Sequence, residues 1–404
     1  MPDRQRMGWI EVALNGEGLD AVVCALPAYV LMLSGYWPVI GTSVAIVTRD
    51  GRCALLVPED EEELAKQGGA EDITTYHPAS LEKLHSVVEA AAGPLRDMLQ
   101  RLGLTCARLG YEFGPASEPS SYAGMNVFGG SVVNLLRAAA PANALAPADE
   151  MLARLAAVKT PTEVERIRRA CQIAGQAFET GRAGLRSGLQ ETAAAELFRG
   201  PLTVIGTGHN GVQRAEGFAW CMSGRNSAQA WAAYARSRSD QIGAHEFVLV
   251  HCNSCADGYW TNITRTYVLG TPEQRQLRLY EAVFSARAAA LAAIRPGAPA
   301  SEVDRAAREV LESRGVGEAF KHATGHGVGF AAISANARPR IHPQSDEVLE
   351  TGMVFNLEPA VYFEGYGGLR HCDMVAVTTS GVEVLTPFQA GTTSLLLEKM
   401  TVAA

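Results

Sequence analysis

Between residues 20 and 60, short apolar runs alternate with turn residues: DAVVCAL (20–26), TSVAIVT (42–48) and, after Asp50-Gly51, RCALLVP (52–58). Runs of this length and β-branched content predict strands, and Asp-Gly between two of them predicts a hairpin turn. LEKLHSVVEAAAGPLRDMLQRLGL (81–104) spaces its apolar residues as a helix does, whereas ARLGYEF (107–113) and SVVNLL (131–136) read as strands. The mixture predicts an N-terminal α/β domain over residues 1–148. Its end is marked by RAAAPANALAPADE (137–150), an Ala- and Pro-rich stretch that reads as a linker.

The pattern changes beyond it. KTPTEVERIRRACQIAGQAFETGRAGL (159–185) opens with Thr160 as a candidate N-cap, Pro161 at the first helical position and Glu163 in the first turn. Gly188 closes that helical region and QETAAAELFRG (190–200) starts another. The same succession returns at 279–315, where a long helix is expected to end at Pro296-Gly297 and a second to start at Ser301-Glu302. Each helix pair is followed by β-type sequence: EFVLVHCNS and GYWTNITRTYVLG after the first, GMVFNLEPAVYF and DMVAVTT after the second. Residues 149–404 therefore read as a duplicated helix-helix-strand unit whose strands pair into one curved antiparallel sheet backed by helices.

Composition narrows the function classes. With 47% hydrophobic and 19% charged residues the chain is globular, and 404 residues suffice for two cores. A net charge of −8 speaks against a nucleic-acid binder, which needs a basic stripe to displace counterions. Pro27 interrupts the early apolar run, so no signal peptide or membrane span is expected, and neither is a membrane partner. Eight scattered cysteines suggest reduced thiols in the cytoplasm. The close pair Cys252 and Cys255 lacks the second pair or helix start that zinc or redox chemistry would need.

Four ordered motifs carry the chemistry: DGYWTNITRTYVLG, HATGHGVG, GMVFNLEPAVY and GGLRHCDMVAVT. In order and spacing the C-terminal domain resembles the pita-bread fold family of methionine aminopeptidase, aminopeptidase P, prolidase and the metal-free creatinase. The N-terminal domain resembles the extra domain of the creatinase, prolidase and aminopeptidase P branch. The resemblance implies an α+β protein, a hydrolase acting on C–N bonds of a small molecule or short peptide, and a homodimer.

The metallopeptidases of that family hold two metal ions with an Asp, a second Asp, a His, a Glu and a last Glu. The matching positions here are His251, Asn262, His326, Glu358 and Cys372. Only His326 and Glu358 keep the pattern. Two dications repel, and bridging carboxylates both screen them and acidify the water between them. With so few anions a dinuclear Mn or Co centre is not expected. Two readings stay open. One is a single divalent ion, Zn²⁺ by donor type, on His251, His326, Glu358 and Cys372. The other is a metal-free, creatinase-like hydrolase with His326, Glu358, Cys372 and His322 as catalytic candidates, Cys372 serving as nucleophile, ligand or filler.

Further positions follow from the resemblance. The creatinase-type His after Ser-Gly-x-Asn is Trp231, and a second family His is Ile333, which puts cleavage of creatine and of Xaa-Pro bonds in doubt. His322 matches a substrate-facing His of prolidase-type chains, or is a loop histidine bonded to backbone. Arg370 matches an Arg suited to clamp a carboxylate. Arg265 is expected to anchor its strand through a salt bridge. Trp220, Trp231 and Trp260 suggest an aromatic wall for an apolar ring or a cation, or ordinary core packing. Three functions are weighed: a hydrolase of a small amino-acid-derived substrate whose pocket would equally support elimination, an Xaa-Pro peptidase with one metal ion, and a catalytically silent binding protein.

Overall fold

The hairpin expected at Asp50-Gly51 forms, with Gly51 at φ +82°, a backbone state that only glycine adopts cheaply. The structure, a computed structural model, describes residues 3–39, 42–78, 86–112, 130–232, 236–334 and 337–397. Two units result: Met1–Thr162 with Ile333–Asn336, and Glu163–Ala332 with Ala337–Ala404.

In chain order the first unit comprises α1 (Arg4–Glu17), β1 (Ala21–Cys24), α2 (Pro27–Ser34), β2 (Val44–Thr48), β3 (Cys53–Pro58), α3 (Glu62–Ala65), β4 (Asp72–Tyr76), α4 (Val87–Arg101), β5 (Arg108–Tyr111), α5 (Gly130–Ala139), β6 (Ala144–Pro147) and α6 (Asp149–Ala157). The strands form one mixed sheet in the order β4-β3-β2-β1-β5-β6. Its residues pack with Leu95, Met98 and Leu99 of α4 into one apolar core. The start of the helix expected at 81–104 lies outside the described residues as far as position 85.

Two expectations fail here. SVVNLL is helical, part of α5, because Val132, Val133, Leu136 and Ala139 recur every three or four positions and are all buried in that core. Six residues were too short a window to separate the two periods. The supposed linker contains β6, parallel to β5 at the sheet edge, and Pro147 ends it where no ladder N–H is needed. The helix α6 beyond it belongs to the first unit.

The second unit takes over within α7 (Pro161–Gly184) and continues with α8 (Glu191–Gly206), β7 (Ala215–Ser223), α9 (Gly224–Ser227), β8 (Phe247–Ala256), β9 (Tyr259–Trp260) and β10 (Ile263–Leu269). Then come α10 (Gln274–Ala293), α11 (Ala300–Ser313), β11 (Gly325–His326), β12 (Arg340–Ile341), β13 (Val354–Leu357), β14 (Ala360–Phe363), β15 (Gly367–Arg370), β16 (Asp373–Thr378), β17 (Gly381–Val384), α12 (Thr392–Leu395) and β18 (Leu396–Leu397).

The duplication is written in the backbone. Between α7 and α8, Gly188 (φ +84°) donates to Ile242, and Ile242 donates back to Leu189. Between α10 and α11, Gly297 (φ +84°) donates to Leu349, and Leu349 donates back to Ala298. Each helical hairpin thus clips the same kind of following segment in the same way. The strands fall into segments: β18-β10-β8-β7 with β9 on β8, then β13-β16-β17, β14-β15 and β11-β12. An isolated antiparallel bridge between Thr264 and Cys372 joins the two halves, and another between Gly327 and Phe355 links segments of the second half. Among the described residues no helix is long and apolar enough to cross a membrane.

Candidate active site

Register decides which side chains meet. On β8, His251 lies opposite Trp220 of β7 and Thr264 of β10, so all three project from one sheet face. The Thr264–Cys372 bridge then brings the segment around Arg370 alongside. His251, Arg370 and Glu358 are linked there by direct contacts, as are His326, Asn262 and Cys372, and Thr264 joins the two groups.

Arg370 is the hub. Its Nε donates to Thr264 Oγ1 (3.1 Å), its Nη2 lies 3.3 Å from His251 Nδ1, and its Nη1 lies 3.5 Å from the Ala230 carbonyl and 3.8 Å from Glu358 Oε2. A guanidinium only donates, so His251 Nδ1 is an acceptor here. Thr264 Oγ1, 2.9 Å from the same Nδ1, adds a second donor. His251 is therefore neutral with its proton on Nε2. Burial first, then Arg370 and His326, hold its pKa well below the usual histidine range.

His326 is arranged the other way round. Its Nδ1 faces the Gly327 carbonyl at 3.0 Å and so carries the proton. Its Nε2 lone pair faces the Nδ2 atoms of Asn356 (3.4 Å) and Asn262 (3.5 Å). The Asn356 amide cannot be turned round, because its Oδ1 accepts from the His326 backbone N–H at 2.6 Å. An imidazole nitrogen in such a position can accept a proton where those long amide contacts give way.

The remaining candidates divide. Cys372 is fully buried, and its thiol lies 3.1 Å from the Asn262 carbonyl as donor. Burial, then Glu358, push that thiol well above its ordinary range, so it stays protonated at neutral pH. His322 is bonded to the Ala323 carbonyl through Nδ1 (2.8 Å) and to the Tyr362 hydroxyl through Nε2 (2.9 Å). Burial, with Arg370 and Arg308, lowers its pKa against the opposing pull of Glu358. The Tyr362 hydroxyl in turn lies in the field of Arg370, which ties His322 to the same hub.

Trp220 stacks on His251 (centroids 5.4 Å, 25° between planes) and carries the Arg236 guanidinium on a ring face at 4.5 Å. Phe218 touches both Trp220 and Trp260. Trp231 is 44% exposed and faces Lys321 at 5.3 Å, apart from that cluster. The salt bridge expected of Arg265 is a fully buried one to Asp373 at 2.8 Å. Cys252 and Cys255 are both buried and free, with burial raising the Cys252 thiol to about 12. Thr264, Tyr362 and Asn356 were missed in the sequence. Only Asn356 had a visible signal, an amide inside an otherwise apolar strand two residues before Glu358.

An α/β domain ahead of a duplicated helix-helix-strand unit, with histidines, an arginine and a carboxylate gathered on its sheet face, defines a two-domain α+β protein of pita-bread architecture. Over residues 165–379, more than half its length, the chain matches metallopeptidase family M24 and belongs to it. It is a hydrolase of the class acting on C–N bonds. An Xaa-Pro dipeptidase of Pyrococcus furiosus is 27% identical over 383 residues, 95% of this chain and 98% of the relative. The prolidase structure from Pyrococcus horikoshii superposes with a TM-score of 0.74 at 26% identity, covering 95% of this chain and 98% of that one. An Xaa-Pro dipeptidase structure from Bacillus anthracis gives a TM-score of 0.77 at 22% identity over 97% and 99% of the two chains, a likeness of fold alone.

Proposed function

We propose that this enzyme hydrolyses a C–N bond in a small amino-acid-derived substrate through His326, without a two-metal centre. The observation that carries the reading is the Arg370 guanidinium lying 3.3 Å from His251 and 3.8 Å from Glu358, among the positions that resemble metal ligands. A permanent cation there repels a metal ion and neutralises the one carboxylate of the set. Of the remaining donors, His251 has given its free lone pair to Arg370, Asn262 carries no charge, and Cys372 holds its proton. These residues do not fit two dications, and they offer one ion only His326 and Glu358.

His326 Nε2 takes a proton from water, and the water oxygen bonds to the carbon of the scissile C–N group. The proton then passes from the imidazolium to the departing nitrogen as the C–N bond breaks. Arg370 Nη1, whose own contacts are long, is the edge that meets a substrate carboxylate or the developing oxyanion. Cys372 takes no covalent part.

The test is hydrolysis of glycyl-proline, N-acetylglycine and creatine by protein purified without added metal, before and after chelation, with elemental analysis alongside. Turnover of one of these that survives chelation and is lost in His326→Ala is expected. Turnover that vanishes on chelation and returns with Mn²⁺ or Zn²⁺ would sink the reading.

A further inference from the structure

The segment 320–328 carries His322 and His326, yet its own ladder is short: β11 is Gly325 and His326 alone, paired with Ile341 and Arg340. It is threaded tightly between two backbones. A Cβ at Gly325 would stand 1.9 Å from the Asn356 carbonyl oxygen, and one at Gly327 would stand 1.9 Å from that of Arg338. Its outer end is held by α11. There Asp304 is fully buried, and its Oδ1 accepts from Thr324 Oγ1 (2.7 Å) and shares the Thr324 N–H (3.0 Å) with the Ile341 carbonyl. Its Oδ2 accepts from Arg308 Nε (2.6 Å), and Arg308 Nη2 in turn donates to the His322 carbonyl (2.6 Å). The Thr324 carbonyl accepts from the Glu358 N–H at 2.8 Å, so this clasp also reaches the backbone of the site carboxylate.

The first half repeats the device. Glu191, fully buried on α8, accepts from the N–H (2.6 Å) and the hydroxyl (2.9 Å) of Ser223 with one oxygen, and from Asn226 Nδ2 (2.6 Å) and the Arg238 N–H (2.8 Å) with the other. In both halves the second helix of the hairpin thus commits a buried carboxylate to the N–H and hydroxyl of one Ser or Thr in a following segment. Stability does not account for Asp304, because a buried ion pair can often be replaced by apolar side chains without loss. What the clasp supplies is position. We propose that Asp304, acting through Thr324 and Arg308, is the positioning residue that sets His326 and His322 against the substrate. The inference rests on the reading of His326 as the base. Asp304 bonds to the backbone and hydroxyl of Thr324 and to Arg308, and takes no part in the chemistry. A base displaced by about 1 Å can lose about 100-fold in rate.

Long-range nitrogen–proton NMR spectra of the histidine rings give a readout that needs no substrate, with His322→Gln and His326→Gln supplying the assignments. Native protein should show both rings as single neutral tautomers protonated on Nδ1, as their bonds to the Ala323 and Gly327 carbonyls require. Asp304→Ala should turn both into tautomer mixtures. On whichever of glycyl-proline, N-acetylglycine and creatine is cleaved, it should lower kcat about 10–100-fold with KM within about threefold. Asp304→Asn, which keeps the shape and gives up the charge, is the second variant should Ala impair folding, with circular dichroism as the check on both. Glu191→Gln is the control for general loosening and should leave both rings as in native protein. Native ring signals in both Asp304 variants, the same ring changes in Glu191→Gln, or altered rings with unchanged kcat would overturn the inference. Turnover separates it from the reading beneath it. Rings that change in a protein cleaving none of the three probes leave Asp304 its hold on the histidines and remove the hydrolase mechanism, whereas cleavage lost in His326→Ala with rings indifferent to Asp304 does the reverse.

Discussion

Asp373→Asn should destabilise the second unit by about 3–5 kcal/mol, the range for breaking a buried ion pair by removing one partner. The carboxylate is fully buried: Oδ1 accepts from Arg265 Nη2 (2.8 Å) and Thr386 Oγ1 (2.9 Å), and Oδ2 accepts from Arg287 Nε (2.5 Å). An amide keeps one acceptor but turns an NH₂ toward Arg287 and His371, and it leaves two guanidinium groups without an anion. Arg265 stays fully buried with only carbonyl partners. Glu196→Gln is the control, since that pair with Arg199 is more than half exposed on both sides and is worth about 0–1 kcal/mol. Urea unfolding, with hydrogen exchange to confine the comparison to β8, β10 and β16, gives the difference. Acid should narrow it. Burial alone would raise the Asp373 carboxyl, yet Arg265, His371 and Arg287 hold it far below the usual carboxylate range. Its contribution is thus complete above about pH 4, where unfolded Asp ionises, and shrinks as the pH falls further. A loss below about 1 kcal/mol at pH 7, indistinguishable from the Glu196 control, would refute the reasoning.

His371, its ring 4.8 Å from that of Phe284, is pushed down to about 4 by burial and then Arg265. The unfolded chain takes up this proton first, near pH 6.5, so stability is full above that pH and falls toward pH 4 by about 3 kcal/mol; His371→Gln should flatten that part of the urea-midpoint profile. Cys372→Ser should keep turnover within about threefold, since a hydroxyl can donate to the Asn262 carbonyl as the thiol does, and iodoacetamide should leave native Cys372 unlabelled by mass spectrometry. Asn356→Leu removes the 2.6 Å acceptor of the His326 N–H and should lower kcat about 10–100-fold with KM little changed. An unchanged kcat would mean that Asn356 does not hold the base.

Long-range periodicity was legible in the chain and short-range context was not. The two helical hairpins could be read because Gly188 and Gly297 end long apolar-periodic stretches in the same way, and the structure clips both with matching backbone bonds. SVVNLL and RAAAPANALAP misled because each is short, and the sheet and α4 decide their state from outside. At the site, the family resemblance pointed to His251, His326, Glu358 and Arg370, but it carried nothing about direction. Arg370 was expected to reach outward for a carboxylate, yet its Nε and Nη2 are turned inward to Thr264 and His251. Hydrogen-bond direction of that kind follows from cross-strand register, which joins residues more than a hundred positions apart.

A tethered guanidinium can replace the charge of a metal ion but not its whole chemistry. A bound dication acidifies its water to a pKa near 7, against about 15.7 for bulk water, and so delivers hydroxide ready-made. Arg370 cannot do this, because it donates hydrogen bonds and accepts no lone pair from water. On the proposed metal-free reading the attacking water loses its proton to His326 as the new bond forms, and the barrier depends on how electrophilic the attacked carbon already is. On the proposed reading, this favours carbons polarised by a second heteroatom contact over an ordinary peptide carbonyl. Arg370 Nη1, with only long contacts of its own, is the donor placed to supply that contact, and His251 carries a further N–H on Nε2. Converting His251 to an acid would therefore remove a donor as well as add a ligand, and restoring metal binding would require undoing the Arg370–His251–Thr264 chain as a unit rather than one residue at a time.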